Sequence, residues 1–361
     1  MRVAIIGAGM SGLSLAVALA ARGIEAVVHE VADAPPKART FSGFEVMTHP
    51  FEAATRHRWS RVEVASEAGV VERTLHRHRY ATIDGAAFVA EALRLLDGST
   101  VTLRFGSPVN DPQALDATHV FDSRPTPPPA GALLQQFEGR FVRTEQPVFD
   151  PGLATLMDFR VDQSRGVHFL YVLPTSATEA LVEDTYFASE PIDPPTFAAT
   201  LDRTLERLGP LEVTGTERGV IPMHIKRPPP APTRVTRIGL SGGVAKPSTG
   251  YAFLFAQQHA AAIADALAKG EPPPATVRRE RDRWLDAIFL ARLDADPAEA
   301  HTLFHQLFSG VDGDRLARFL SERAGYRDMR AVMKALPAGP FVRQTIRTLA
   351  RGALGLGRGP L

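Results

Sequence analysis

Gly7, Gly9 and Gly12 stand in the spacing G-x-G-x-x-G directly after the apolar run Val3–Ile6, and Glu30 follows 18 residues after Gly12. In this arrangement the first glycine permits a tight turn after a strand and the second lets backbone approach a pyrophosphate. The third lets a helix pack closely on the sheet. Met10 and Ser11 open that helix, expected over Met10–Arg22, and its N-terminal N–H groups and dipole favour an anion. Glu30 closes a second expected strand, Ala26–Glu30, where a carboxylate can accept hydrogen bonds from a ribose diol. A second pair of chemically capable residues, Glu183 and Asp184, lies in an apolar run. On a strand these two acids point to opposite faces, so only one can meet a ligand directly. From sequence alone an ordinary exposed acidic turn or strand edge is the favoured reading of this pair.

The elements that must position these residues fall into an order. Residues 1–31 read β-α-β. Residues 36–80, rich in His and Arg, are expected to be irregular and to cap the ligand. A helix over residues 84–97, with Asp84 as N-cap, places Phe88, Val89, Ala92, Leu93 and Leu96 on one face. Short strands are expected at Val101–Phe105 and His119–Phe121, the latter ending at Asp122. Alternating strands follow at Phe149–Arg160, Gly166–Leu173 and Glu179–Phe187, with a helix at Pro194–Leu208. A late strand, Thr236–Leu240, leads through Gly242-Gly243 into a helix at Gly250–Ala268, and the chain after Thr276 reads as helix-rich.

The ligand-binding unit is therefore expected to be discontinuous, comprising residues 1–125 and 236–268. A substrate or cap domain of antiparallel α+β type occupies 126–235, and a helical region covers 269–361. The fold class is α/β: a Rossmann-type domain with an inserted α+β domain and a helical C-terminal region. Two-domain FAD proteins are built in this way, whereas a nicotinamide-only domain completes its parallel sheet within about 150 residues. FAD is thus preferred over NAD.

Composition narrows the function classes. The 361 residues carry a formal charge of +1, with 44% apolar and 22% charged residues, so the chain reads as globular with no reason to seek nucleic acid. The absence of cysteine excludes disulfides, thiol nucleophiles and Fe–S clusters and fits a cytoplasmic protein. Proline runs at Pro125–Pro129, Pro228–Pro232 and Pro272–Pro274 mark connections between units. No targeting segment or membrane span is expected. His76 and His78 share a strand face but lack a third ligand, so no metal site is expected.

Several segments, in order along the chain, carry a family resemblance. They are Gly7–Gly12, Leu156–Gln163, Phe169–Pro174, Leu181–Phe187, Gly219–Met223, Lys246–Tyr251, Trp284–Leu290 and Phe319-Leu320. Together they resemble the bacterial lycopene β-cyclases, FAD-dependent carotenoid cyclases. Three positions depart from that pattern. Arg39–Gly43 stands where the family often has a Trp-containing motif, Pro125 follows Asp122-Ser123-Arg124 where a glycine is common, and Lys246 stands where a His is common.

The resemblance implies acid-initiated, net non-redox cyclisation of lycopene or a related acyclic carotenoid, giving β-ring products. It also implies FAD in its reduced form and NAD(P)H as electron donor. Glu183 occupies the family's acidic position and is the expected proton donor, supported by Asp184; such an acid must be buried to stay protonated at neutral pH. Phe159, Phe169, Tyr171, Tyr186 and Phe253 are candidates for aromatic walls around a cation, with most of the aromatics equally readable as core. Gly7, Gly9, Met10, Ser11, Gly12, Glu30, Asp122, Gly242, Gly243, Pro247, Ser248, Thr249, Gly250 and Tyr251 are expected to hold the cofactor. Ser248 and Thr249 can alternatively cap the helix they precede.

Arg343, Arg347 and Arg351 repeat every four positions in a C-terminal stretch, residues 331–361, that has five basic and no acidic residues. Such a stripe suits either a solvated helix face or peripheral contact with the inner face of the cell membrane. Two other readings stay open: an FAD-dependent monooxygenase or polyprenyl reductase, and a non-catalytic flavin- or carotenoid-binding protein.

Overall fold

The computed structural model describes residues 2–35, 39–225, 231–337 and 339. The chain opens with β1 (Val3–Ile6), α1 (Met10–Ala20) and β2 (Ala26–His29). It continues through β3 (Phe41–Phe44), β4 (Thr55–Trp59), β5 (Arg61–Ser66), β6 (Gly69–Thr74) and β7 (Tyr80–Ile83). After α2 (Gly85–Leu96) come β8 (Val101–Arg104), β9 (His119–Asp122), β10 (Leu133–Thr144), β11 (Leu153–Asp158), β12 (Val167–Pro174) and β13 (Glu179–Ala188). Helix α3 (Pro194–Glu206), the long β14 (Leu211–Met223) and β15 (Val235–Arg237) precede α4 (Phe253–Ala268). Among the described residues four helices follow: α5 (Glu280–Ala295), α6 (Ala300–Gly310), α7 (Gly313–Leu320) and α8 (Tyr326–Ala335).

The first sheet is parallel throughout, in the order β15-β9-β1-β2-β8. Strand β1 is buried on both faces and reads as the unbroken run Val-Ala-Ile-Ile: Val3 and Ile5 face the helices, and Ala4 and Ile6 pack against Val109, Leu115 and Ala117 of the chain before β9. Its core holds Leu13, Leu15 and Val17 of α1 with Ile263 and Leu267 of α4. Strand β15 joins this sheet across more than 100 residues of intervening chain, so the parallel sheet is assembled from two separate stretches of sequence. The late strand is shorter than expected: after Arg237 the chain turns through a 3-10 helix, Gly239–Gly242.

The second sheet runs β14-β10-β13-β12-β11-β5-β6 and is antiparallel except where β11 pairs with β5. Here the expectation of irregular structure over 36–80 is corrected. Strands β5 and β6 form a hairpin at the edge of this sheet, and β3, β7 and β4 make a third, antiparallel sheet. The signal was present in Arg61–Ser66, where Val62 and Val64 alternate with polar residues and are fully buried. Basic residues on the outward face obscured it. One face of the large sheet packs against α6 and α7 through Val62, Val64 and Phe169 with Phe304, Leu307 and Leu316. The other is covered by α3, with Leu201 and Leu205 against Val142 and Val182.

Asp84 caps α2 as expected, its Oδ1 accepting the Ala87 N–H at 2.8 Å. Among the described residues no helix is long and apolar enough to cross a membrane. The C-terminal basic stripe at Arg343, Arg347 and Arg351 lies outside the described residues.

Candidate active site

The glycine turn is built by close approach. Gly7 has φ +94°, and a Cβ there would lie 2.4 Å from Ser123 Oγ; one on Gly12 would lie 1.9 Å from the Gly7 carbonyl oxygen. Gly9 differs, because a Cβ would meet no protein atom within 4 Å. Its missing side chain leaves room on the cavity side, where a ligand backbone rather than protein would need it. Glu30 is buried and ties this turn to the end of β2: one oxygen accepts the Ala8 N–H at 2.7 Å and the other the Ala32 N–H at 3.1 Å. Each carboxylate oxygen retains a lone pair for a further donor.

A cavity of about 510 Å³ extends from this turn to the middle of the large sheet. Gly9, Met10 and Ser11 form one end and Thr249, Gly250, Tyr251 and Phe253 a side wall. The N-termini of α1 and α4 both reach it, and neither carries a side-chain cap. The first-turn N–H groups of a helix have no intrahelical partner, so two anion-favouring ends face one space. Gln135 lines the cavity too, and its buried Oε1 has no hydrogen-bond partner among the described residues. This donor-rich, partly unsatisfied cradle fits a group carrying a pyrophosphate and a polar ring system.

Other residues singled out in the sequence stand behind the wall. Asp122 holds Arg124 in a two-pronged ion pair at 2.9 and 2.7 Å. Gly242 is forced by the Arg237 carbonyl oxygen, 2.4 Å from where its Cβ would be, while neighbouring Gly239 and Leu240 reach the cavity. Pro247 does not line the cavity. Ser248 turns away from it, and its Oγ donates to Asp286 at 2.6 Å. Lys246 and Arg278 also bind Asp286, and Arg278 binds Glu322. This buried network ties the Lys246–Tyr251 loop to α5 and to the turn after α7.

At the far end, β13 alternates as expected. Leu181, Glu183 and Phe187 face the cavity. Glu183 is 7% exposed, and its Oε1 accepts a hydrogen bond from the Thr185 hydroxyl at 2.8 Å. Burial first, and the nearby Glu217 carboxyl second, push Glu183 up to about 8. It is therefore a carboxylic acid at neutral pH. Phe169 and Tyr171 of β12 line the same wall. The Tyr171 hydroxyl meets that of Tyr80 at 2.6 Å, and burial raises both; Tyr251 is pushed up to about 12 for the same reason.

Asp184 lies on the opposite face, fully buried, with its Oδ1 2.5 Å from His168 Nε2. Tyr186 shares that face, stacked on His168 at 3.8 Å, and so does not line the cavity. Phe159 is also outside it, in the core between Phe169 and Phe304. Conversely, Tyr80, Gln135 and Glu217 line the cavity without having been singled out in the sequence. Tyr80 lay in the segment read as irregular. Glu217 sits on β14, whose largely polar and exposed residues gave no apolar alternation to place it.

The parallel sheet, the glycine turn and the inserted sheet define a class, the Rossmann-type flavoprotein fold. Solved structures of that kind superpose on nearly the whole chain. A geranylgeranyl bacteriochlorophyll reductase-like protein from Thermoplasma acidophilum matches with TM-score 0.59 at 11% identity, covering 92% of this chain and 95% of its own. HpxO from Klebsiella pneumoniae, complexed with FAD, matches with TM-score 0.56 at 16% identity, covering 94% and 100%. Sequence narrows the class: the chain belongs to the lycopene cyclase family, whose model, described as lycopene cyclase protein, matches residues 2–346. Lycopene beta-cyclase of Paracoccus sp. is 27% identical over 304 residues, spanning 73% of this chain and 74% of that protein. An uncharacterized carotenoid cyclase of Deinococcus radiodurans is 29% identical over 363 residues, spanning 88% and 85%.

Proposed function

We propose that this protein is a carotenoid cyclase that binds FAD and converts lycopene, or a related acyclic carotenoid, into β-ring products such as γ- and β-carotene. The observation that carries this reading is the placement of Glu183, a buried acid that burial pushes up to about 8, in an aromatic-walled cavity that extends to the glycine turn. Membership of the family supports the same assignment.

The chain's own groups account for the acid–base steps. Glu183 gives its proton to a terminal alkene carbon, and the π electrons of a second double bond close the ring. Transfer of a ring C–H proton to the Glu183 carboxylate, or to solvent with Glu183 reprotonated in turn, then restores the neutral hydrocarbon, so atoms balance and no net oxidation occurs. Phe169 and Tyr171 present π faces to the transient cation, and the apolar walls exclude water that would capture it. Gly9, Met10, Ser11 and the first turn of α4 would hold FAD by its pyrophosphate and polar ring edge. When bound in reduced form, with NAD(P)H as electron source, FAD would supply negative charge beside the cation.

Expression in a bacterium that accumulates lycopene tests the proposal. The expected result is conversion of red lycopene to orange-yellow cyclic products, abolished by Glu183→Ala. Unchanged lycopene beside folded, flavin-loaded protein would refute the cyclase reading, and oxygenated products would point to a monooxygenase.

A further inference from the structure

Four positions form one row across the large sheet: Tyr171 on β12, Glu183 on β13, Gly139 on β10 and Glu217 on β14. Glu183 is paired with Tyr171 on one side and with Gly139 on the other, and Gly139 is paired in turn with Glu217. Residues paired across adjacent strands share a face, so the two glutamates flank a position that has no side chain. A Cβ built on Gly139 would lie 3.4 Å from Glu217 Cγ and 3.6 Å from Glu183 Cβ. Both carboxyls line the same cavity.

The two acids have unequal surroundings. Burial pushes Glu217 up as well, but it accepts the Thr40 N–H at 3.1 Å and lies near the Arg39 guanidinium, both of which oppose that rise and favour its anion. Among the described residues, Glu183 accepts a hydrogen bond from the Thr185 hydroxyl alone. Other titratable groups around Glu183 are Tyr171 on β12, neutral because burial raises it, and Asp184 on the far face of its own strand. Tyr80 and Tyr251 lie on the same cavity wall, and Asp84 lies on the Glu217 side.

We propose that Glu217 is a positioning residue which remains ionised across the gap left by Gly139 and thereby keeps the proton on Glu183. This rests on the reading of Glu183 as the proton donor. Two carboxyls that repel each other across one intervening strand do not both ionise readily, and the one with the better donors keeps the charge. After Glu183 has given up its proton, the same neighbour makes its anion unfavourable and drives reprotonation before the next turnover.

Glu217→Gln tests this, because it removes the charge while retaining an acceptor for the Thr40 N–H. The measurement is the pH midpoint at which the buried carboxylic acid C=O band disappears in infrared difference spectra of the full-length, flavin-loaded protein. Loss of the band in Glu183→Gln assigns it. The midpoint is expected to fall by roughly one pH unit or more in Glu217→Gln, about a tenfold smaller protonated fraction above it, and to be largely recovered in Glu217→Asp. The alkaline limit of cyclase activity should move with it. An unchanged or raised midpoint in folded Glu217→Gln, or failure of Glu217→Asp to recover it, would overturn the proposal. Because the band is read without turnover, a normal titration in a protein that leaves lycopene untouched would refute the cyclase reading and leave the carboxyl coupling standing.

Discussion

Replacing Glu183 by glutamine isolates what burying this acid does to the fold. The carboxyl rises from an ordinary 4.5 to about 8, chiefly because burial disfavours its anion. Between those values the folded protein holds a proton that the unfolded chain has released. The native state binds more protons, so stability falls as pH rises through this window. Below the lower value the carboxyl is neutral in both states and has no effect; above the upper value its penalty is complete. The window is about 3.5 pH units (8 − 4.5), and at roughly 1.4 kcal/mol for each the limiting penalty is on the order of 5 kcal/mol. Glutamine has nearly the same shape and can still accept from the Thr185 hydroxyl, but it cannot ionise. Urea unfolding of the flavin-loaded proteins should give closely similar stabilities near pH 5 and an advantage of several kcal/mol for Glu183→Gln near pH 9. A difference that stays flat with pH, or grows in favour of the parent, would refute the assignment of Glu183 as a buried neutral acid.

Two further substitutions probe the supports of the site. Gly139→Ala puts a methyl 2.8 Å from Leu181 Cδ1 and between the two glutamates; a stability loss of about 1–3 kcal/mol is expected, with cyclase turnover down by as much as about 100-fold from displacement of the acid. Turnover near that of the parent would show that the gap is not needed. Asp286→Asn removes the carboxylate that Lys246, Ser248 and Arg278 share. Leaving those buried cations underpaired should cost about 3–5 kcal/mol by denaturant unfolding and lower the flavin content of purified protein; a loss below about 1 kcal/mol would mean the network is replaceable.

The sequence was most legible where a local rule fixes geometry. Gly12 was readable because its close approach is to the Gly7 carbonyl oxygen, which the turn itself supplies, and Gly7 because the same turn demands its φ of +94°. Asp84 was readable because capping is a three-residue interaction. Glu183 and Asp184 divided between the faces because alternation leaves no other choice. The same rule, carried two residues further, places Tyr186 with Asp184 rather than with Glu183. Glu217 could not be found locally, since its meaning comes from a pairing across Gly139 between strands far apart in sequence. Ser248 was misleading for a similar reason: its partner Asp286 is on a helix 38 residues away.

Strand β13 divides two electrostatic tasks between its faces, and the second secures the first. His168 Nδ1 lies 2.6 Å from the Asp162 carbonyl oxygen, which can only accept, so Nδ1 carries a hydrogen. A proton must therefore also lie between Nε2 and Asp184 Oδ1 at 2.5 Å, whichever of the two holds it. The contact fixes β13 against β12, because a one-residue slip would carry every side chain to the opposite face. Such a slip would strand His168 without its carboxylate and place Asp184 among the aromatic walls of the cavity, where neither has a partner. A sheet of purely apolar strands would pay far less for that error. The His168–Asp184 pair is thus made only in the register that presents Glu183 to the cavity, and it lies on the face opposite that cavity.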